Sequence, residues 1–286
     1  MERGGFGAAA AHLHLSQSAV SHAVKALEQA LGAPLLRRGN RSGIVLTPAG
    51  TVALAQARLA LTAIERMAAH VGEAAGAPRL SGTLRIGVVQ SAAVHLLPRW
   101  LRLLRADHPD VVVVLHEGTD PEVVDWVRAG VVEVGVTSRT HAALVARVVH
   151  QDEYVVLVPD RHPLARRTHV GLPDLDGHRM LLSGGGCETL IEELLASAGS
   201  NPDIACLVRD NATLASMVRG GLGLTIMPDL ALPDERQGLN VIPLRPIMRR
   251  TLHVLTQRPA LLGPLALAFL AVIGSGVDEK GGSETP

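Results

Sequence analysis

Apolar residues recur at helical spacing near the start of the chain. Val20, Val24 and Leu27 share one helix face. Ser16 precedes them as an N-cap, because its hydroxyl can accept from the free backbone N–H groups of the first turn. Residues 8–13 supply a second, alanine-rich helix upstream. Two helices joined by a tight turn predict a helix-turn-helix.

A longer apolar stripe follows, in which spacings of three and four residues alternate. It consists of Leu54, Ala57, Leu61, Ile64, Met67 or Ala68, and Val71. This spacing is typical of a coiled coil, and no proline or glycine interrupts residues 51–71. The helix could pack on its own domain, but its position between two domains favours a dimerising linker helix over residues 51–78.

Beyond residue 80, buried strands and helices alternate, which predicts an α/β fold with a parallel sheet covered on both faces. Predicted strands are residues 84–89, 111–115, 132–137, 154–158, 180–182, 204–208, 224–227 and 251–256. Predicted helices are residues 96–104, 122–129, 188–198, 212–220 and 265–273. We assign them to a first lobe (82–152 plus 259–277) and a second lobe (153–258). A ligand cleft is expected between the lobes, and residues 278–286 form a polar tail predicted to be disordered.

The polar face of the helix after Ser16 carries short, uncharged or basic side chains that are rich in hydrogen-bond donors. Such side chains suit base edges and phosphates, and a basic wing follows the helix. The predicted DNA-binding residues are Ser16, Gln17, Ser18, Ser21, His22, Lys25, Arg37, Arg38 and Arg41.

In this order, the motifs resemble the N-terminal DNA-binding domain of the LysR-type transcriptional regulators. Matching positions are Ala10, Ala11, Leu13, Ser16, Gln17, Ala19, Ser21, Leu27, Glu28, Leu31, Gly32, Leu35, Leu36, Arg38, Leu46, Thr47, Ala49 and Gly50. Three positions depart from the family pattern: Ser18 stands for proline, His22 for arginine and Leu36 for phenylalanine. The family also opens with an apolar helix that would already be ending where this chain starts, so we expect an N-terminally shortened member.

The resemblance continues weakly through nearly the whole chain. Its later motifs are Leu97-Pro98, His162-Pro-Leu164, Gly221-x-Gly223-Leu224 and Met227-Pro228. It implies a winged helix-turn-helix over residues 1–50, a linker helix, and a two-lobed effector domain similar to periplasmic binding proteins. It also implies a sequence-specific DNA-binding regulator that forms a homodimer or homotetramer and responds to a small-molecule effector.

Charge is distributed unevenly along the chain, although the net charge is zero. Residues 1–60 hold six lysines and arginines against two acidic residues, which leaves an equal negative excess in the remainder. A basic module on an acidic body predicts binding of double-stranded DNA. Phe, Trp and Tyr total only five residues, too few to stack the bases of single-stranded nucleic acid.

The same composition predicts a cytoplasmic protein without membrane contact. No apolar run reaches the length of a membrane span, and no secretory signal is present. Two cysteines in a chain of this size indicate a reducing compartment.

Three predicted turns place polar groups where strands end and helices begin. Unpaired N–H groups and the helix dipole favour anions at such places. Each turn could be an ordinary N-cap, but the resemblance implies that they converge on one cleft, which favours a small anionic effector. The candidate effector-binding residues are Gln90, Ser91, Thr137, Ser138, Gly186, Cys187 and Asn211.

No motif supports catalysis or a metal site. The chain lacks His-Glu-x-x-His, Cys-x-x-Cys and Gly-x-Ser-x-Gly, so we expect no enzyme activity, no cofactor and no metal.

Two alternatives stay open. One is a solute-binding module whose truncated DNA-binding segment is non-functional. The other is a redox-sensing regulator, because peroxide-sensing members of the family place a reactive cysteine in the loop that holds Cys187 here, with a partner nine residues later. That partner position is Ala196 and the remaining cysteine is Cys206, which favours a bystander thiol.

Overall fold

The computed structural model describes residues 5–38, 44–74 and 80–278. The chain divides into two compact units, residues 1–64 and residues 65–286. The predicted DNA contact Arg41 and residues 279–286 of the predicted tail lie outside the described residues, as does the side chain of Arg38.

The first unit opens with two helices, α1 (Phe6–Leu13) and α2 (Gln17–Leu31). They confirm the predicted helix-turn-helix. Ser16 caps α2 as predicted, because its Oγ accepts from the N–H of Ala19 at 3.1 Å. His14 ends α1 in the left-handed conformation, with φ of 53°, and so turns the chain between the helices.

A short antiparallel hairpin forms the predicted wing, with strands β1 (Leu36–Arg38) and β2 (Ile44–Leu46). Glu28 of α2 fastens this hairpin, because its Oε1 accepts from the N–H groups of Leu35 at 2.7 Å and Leu36 at 3.1 Å. The acidic residue of the family motif is therefore a structural clamp between helix and wing.

The third helix, α3 (Pro48–Ala74), begins directly after the wing. Thr47 caps it, since its Oγ1 accepts from the N–H of Gly50 at 2.9 Å and donates to the carbonyl of Pro34 at 2.7 Å. A Cβ at Gly50 would lie 1.9 Å from the carbonyl oxygen of Leu35. Only glycine fits there. The cap formed by Thr47 and the close contact at Gly50 therefore explain two residues of the Thr-Pro-Ala-Gly sequence.

The apolar stripe of α3 lies in solvent. Exposed fractions are 60% for Leu61, 56% for Ile64, 61% for Met67 and 63% for Val71. The described residues cover less than half of each of these side chains, although Leu54 at the start of the stripe is half-buried. This argues against full packing of the face on the helix's own domain. The helix ends at Ala74, and residues 75–79 of the predicted linker lie outside the described residues.

The remaining elements belong to the second unit. In chain order they are β3 (Gly82–Val88), α4 (Gln90–His95), α5 (Leu97–Asp107), β4 (Val111–Glu117), α6 (Asp120–Arg128), β5 (Val134–Thr137), β6 (Val145–Pro159), β7 (Arg179–Ser183), α7 (Glu188–Ser197), β8 (Asp203–Val208), α8 (Asn211–Arg219), β9 (Thr225–Pro228), β10 (Leu239–Pro243), β11 (Arg249–Thr256) and α9 (Pro264–Asp278). Strand and helix alternate through most of this order, as predicted.

The sheets are mixed, so the prediction of a wholly parallel sheet is wrong. Strands β4, β3 and β5 are parallel neighbours, whereas β11 is antiparallel to both β5 and β6. Strands β9 and β10 are also antiparallel to β6. Two consecutive parallel strands need a crossover connection, usually a helix. Strand β11 returns to the first lobe without such a helix, and it pairs antiparallel with its neighbours.

Strand β6 is far longer than the predicted strand at 154–158. Its polar residues 150–153 interrupt the apolar pattern, and the strand continues through them between the two lobes. The predicted lobe boundary at residues 152 and 153 therefore falls inside one continuous strand, and the lobe limits stay a prediction. Strand β10 has no counterpart in the predicted elements.

The second lobe has an apolar core on each side of β7. Leu182 faces the core on the α7 side and Leu181 faces the core on the α8 side, because alternate residues of a strand point to opposite faces. Cys187 packs against the first core and Cys206 against the second. The two thiols therefore lie on opposite sides of β7.

Candidate functional site

Helix α2 presents its predicted DNA contacts to solvent. The exposed residues are Gln17, Ser18, Ser21, His22 and Lys25. Val20 and Val24 on the other face are half-buried, whereas Leu27 is 46% exposed, so the predicted apolar stripe is only partly covered. The Ser16 hydroxyl acts as the helix cap and lies 2.9 Å from that of Ser18.

The charge of this surface is basic. Glu28 is the acidic residue of α2, and its carboxylate is held by backbone N–H groups of the wing. Lys25 on α2 and Arg37 on β1 are exposed and form no ion pair with any described residue. Both cations are therefore available for phosphates.

The side chain of Gln90 forms a clamp between α4 and α8 and contacts a second predicted effector residue, Asn211. The Nε2 of Gln90, at the start of α4, donates to Oδ2 of Asp210 at 2.8 Å, and its Oε1 accepts from the N–H of Asn211 at 2.9 Å. Asp210 also caps α8, and its hydrogen bonds from Thr213 and Gln90 hold the pKa of its carboxyl below the ordinary value. The N-termini of α4 and α8 are thus in direct contact.

The Thr137 hydroxyl and the Ser138 backbone N–H both donate to acceptors within the chain. The Thr137 hydroxyl donates to Asp120, and the N–H of Ser138 donates to the same carboxylate oxygen at 2.5 Å. Asp120, at the start of α6, is only 8% exposed. Asp120 was not among the predicted effector residues, although an acidic residue in the first turn of a helix is a recognisable signal.

The glycine-rich loop of the second lobe closes onto α6. Gly186 has φ of +110°, and a Cβ there would lie 3.0 Å from the backbone nitrogen of Asp120 and 3.1 Å from Cα of Thr119. Its N–H donates to Oε2 of Glu188 at 2.7 Å. The loop therefore lies against the start of α6, and the N–H of Gly186 is satisfied by the chain itself.

Ser91 contacts a buried ion pair whose two residues were not among the predicted site residues. Arg250 donates to Ser91 Oγ at 3.2 Å and to both oxygens of Asp152 at 2.8 and 2.7 Å. The N–H of Leu230 donates to the same Asp152 carboxylate at 3.1 Å. Arg250 and Asp152 are each 9% exposed, and they face each other on β11 and β6. Nearly a hundred residues separate them in the sequence, so no local pattern predicts that they form a pair.

Tyr154 and Cys187 complete this region. Tyr154 is 3% exposed, and its hydroxyl makes no hydrogen bond to any described residue. Burial raises the pKa of Tyr154 above its ordinary value; the nearby Cys187 and Asp120 add to this rise, whereas the Arg250 guanidinium opposes it. Burial also raises the pKa of the Cys187 thiol, which keeps it protonated and poorly nucleophilic.

The described ranges were compared with the requirements of a metal site and of a membrane-spanning helix. No group of three or more histidine, cysteine, aspartate or glutamate side chains is placed there to hold a metal ion. Likewise, within those ranges no helix has the length and apolar character needed to cross a membrane.

Comparison with known proteins accounts for both units. Residues 1–51 match the bacterial regulatory helix-turn-helix protein, lysR family, and residues 77–277 match the LysR substrate binding domain. A probable HTH-type transcriptional regulator LrrA of Synechococcus elongatus is 35% identical over 281 residues, which covers 96% of this chain and 92% of the relative. A hydrogen peroxide-inducible genes activator of Dickeya chrysanthemi is 30% identical over 266 residues, covering 89% of this chain and 84% of the relative.

The fold is shared with solved structures as well. A full-length OxyR variant from Pseudomonas aeruginosa superposes with a TM-score of 0.73 at 24% identity, covering 96% of this chain and 92% of the other. The helix-turn-helix, the mixed two-lobed domain and these matches together lead to one conclusion. The chain belongs to the LysR family of transcriptional regulators.

Proposed function

We propose that the chain controls transcription by binding a specific DNA operator, and that a small metabolite held between the two lobes sets this activity. The proposal of a cleft rests on the contacts of α4 with α8 and of the glycine-rich loop with α6. Such a cleft lets a ligand favour one arrangement of the lobes over another, and that difference in affinity is what shifts the population.

On the DNA side, α2 is proposed to enter the major groove. Gln17, Ser18, Ser21 and His22 face base edges, and Ser16 holds the N-terminus of the helix. The cations meet phosphates; these are Lys25, Arg37, Arg38 and Arg41. Exposure of the α2 side chains and the inward orientation of Glu28 support this assignment.

The assembly is proposed to be a homodimer or a dimer of dimers. A helix-turn-helix reads only a short half-site, so specific affinity needs two of them at a fixed spacing. The exposed stripe of α3 fits a dimer seam. The edge strand β4 also exposes Val112, Val114 and Leu115 by 58%, 38% and 44%, which supports pairing between effector domains.

The test begins with the full chain and a pool of genomic DNA fragments, from which bound fragments are recovered and sequenced. Fluorescence anisotropy then measures affinity for a recovered fragment while candidate metabolites are added. We expect one common sequence among the fragments and an affinity that changes with the effector. Ser91→Ala is expected to retain DNA binding and to weaken the response to effector.

A solute-binding module with an inactive DNA-binding segment is the second candidate. The observation that favours it is the exposure of four leucines in the first unit. Their exposed fractions are 57% for Leu13, 54% for Leu15, 46% for Leu27 and 54% for Leu31. Failure of the full chain to retain any fragment, together with metabolite binding, would support this candidate over the first.

Redox sensing is the third candidate, because a relative is named as a hydrogen peroxide-inducible genes activator. The half-buried Cys187, whose thiol pKa is raised by desolvation, and the position of Cys206 across β7 weigh against it. Peroxide treatment followed by mass spectrometry is expected to find no disulfide between Cys187 and Cys206. A rapid and stoichiometric disulfide would restore this candidate.

A further inference from the structure

Four arginines of the second unit form an exposed basic surface. Three of them lie in the segment 161–169, which contains no aspartate or glutamate, and the fourth is Arg245. None of the four guanidinium groups forms an ion pair with any described residue, whereas the exposed Arg179 lies 3.5 Å from Asp203. Together with the exposed imidazole between them, these side chains are named the arginine surface: Arg161, Arg166, Arg167, His169 and Arg245.

Backbone hydrogen bonds bring the two segments of this surface together. The N–H of Val170 donates to the carbonyl of Pro243 at 3.0 Å, and the N–H of Arg245 donates to the carbonyl of Val170 at 2.8 Å. Val170 and Leu244 form a β-bridge and are buried in the same apolar core. Alternate residues of an extended segment point to opposite sides, so His169 and Arg245 are both directed away from that core and into solvent.

The loop that carries the other arginines is fixed by the fold. Leu164 is 6% exposed and packs in the same core. Its N–H donates to Nδ1 of His162 at 3.2 Å, and its carbonyl accepts from the N–H of Arg167 at 2.9 Å. Arg166 and Arg167 therefore project from a short, anchored 3₁₀ turn. Cations held in place in this way lose less conformational freedom when they bind a ligand.

The carboxylates that flank this loop in the sequence accept hydrogen bonds from uncharged donors. Asp160 accepts from the side-chain amide of Asn240 at 2.6 Å. Asp174 and Asp176 each accept from a backbone N–H at 2.7 Å. The described carboxylates next to the loop therefore do not pair with its arginines, which remain available to an external anion.

The composition of the arginine surface favours phosphate groups as ligands. A guanidinium group can donate two parallel hydrogen bonds to one phosphate. Residues 160–176 and 240–250 contain no Phe, Trp or Tyr, the side chains on which nucleobases and protein partners are commonly anchored. Contacts to the DNA backbone require charge and donors alone. An operator bound by α2 is also presented to the rest of the same chain at a high effective concentration.

We infer that the arginine surface binds the phosphate backbone of the same duplex whose operator is recognised by α2. The inference rests on the proposed operator binding and goes beyond it, because it gives the effector domain a DNA contact of its own. This contact is independent of base sequence, since phosphates carry no sequence information.

The experiment uses the full chain and a duplex that contains the operator and extends well beyond it on each side. Fluorescence anisotropy over a range of salt concentrations gives the slope of log affinity against log salt, to which each phosphate contact adds about one unit. The double variant Arg166→Gln with Arg167→Gln is expected to lower this slope by about two. Arg166→Lys with Arg167→Lys keeps both charges and is expected to keep the slope.

The matched control removes the same charge elsewhere in the unit. Arg102→Gln with Arg105→Gln neutralises two exposed arginines of α5 that form no ion pair with any described residue, and the slope is expected to stay unchanged. Poly-L-glutamate serves as a second probe. If Arg166→Gln with Arg167→Gln weakens binding of this polypeptide and leaves the DNA slope unchanged, the surface belongs to an acidic protein and the inference is overturned.

Other contrary outcomes separate the inference from the proposed function. An unchanged slope in the Arg166 and Arg167 variant, or an equal fall in the α5 control, would overturn the inference and leave operator binding by α2 intact. Absence of DNA binding by the wild-type chain would contradict the proposed function and the inference together.

Discussion

Asp152 and Arg250 are opposed in register on β6 and β11, and each is 9% exposed. Removal of one charge from a buried pair leaves the other without compensation. We therefore expect Asp152→Asn to lower the free energy of unfolding by about 3 kcal/mol or more, measured by urea denaturation. The matched control is Glu153→Gln, whose exposed partner Arg249 lies 3.8 Å away. An exposed pair contributes little, so an equal loss in the control would show that burial is not the cause.

The stability of the second lobe is expected to depend on pH through His162. The Nδ1 of His162 accepts from the N–H of Leu164 at 3.2 Å, and its ring centroid lies 4.7 Å from that of His178. Burial and His178 both lower the pKa of His162 from 6.5. The folded state therefore favours neutral His162, and its contribution to stability is complete above pH 6.5 and falls as the pH drops towards the folded pKa.

The variant His162→Asn tests this dependence, because its side-chain oxygen can replace Nδ1 as the acceptor. Urea midpoints at neutral and mildly acidic pH are expected to differ less in this variant than in the wild type. His169→Asn alters an exposed histidine of the same lobe and is expected to behave as the wild type. An unchanged pH dependence in His162→Asn would refute the assignment.

Gln90 couples α4 to α8 through its hydrogen bonds with Asp210 and Asn211. A double-mutant cycle of Gln90→Ala and Asp210→Ala is expected to give a coupling free energy of roughly 0.5 kcal/mol or more, measured by thermal or urea unfolding without any ligand. Asp210→Ala alone also loses the cap of α8, which the cycle removes from the result. The control cycle pairs Gln90 with Asp125, an exposed residue of α6. Additive effects in the first cycle would mean that the clamp is not formed in solution.

Elements with a local signal were predictable, and contacts between distant residues were not. Periodicity and the Ser16 cap placed α2 and most of the α/β elements, because these signals lie within one helix or strand. The antiparallel placement of β11 depends on how the two lobes are connected. The first half of β6 was not predicted, because its polar residues interrupt the apolar pattern of a strand. Likewise, the contacts of Asp120 and the Arg250–Asp152 pair could not be predicted, because each joins residues that are remote in sequence.

At the scale of the whole molecule, the exposed seam of α3 predicts that dimerisation and operator binding depend on the same residues. Leu61→Asp and Ile64→Asp each place a charge in the seam, so we expect monomers by analytical ultracentrifugation. Operator affinity is expected to fall at least about tenfold, because specific affinity needs two helix-turn-helix modules. The effector domain is expected to retain its ligand affinity.

Gln56→Asp supplies the control for this prediction. It adds the same charge at an exposed position of α3 outside the apolar stripe, and both dimerisation and operator affinity are expected to be retained. A Leu61→Asp protein that stays dimeric and binds its operator normally would rule out the seam.

Helix α2 is proposed to hold the chain on duplex DNA, with Lys25 on a phosphate. Its most direct measurement is the salt dependence of operator affinity for the wild type and Lys25→Ala. Each phosphate contact adds about one unit to the slope of log affinity against log salt. We predict that Lys25→Ala weakens binding to all sequences and lowers that slope by about one. An unchanged affinity and slope would contradict the assignment of α2 as the DNA-binding helix.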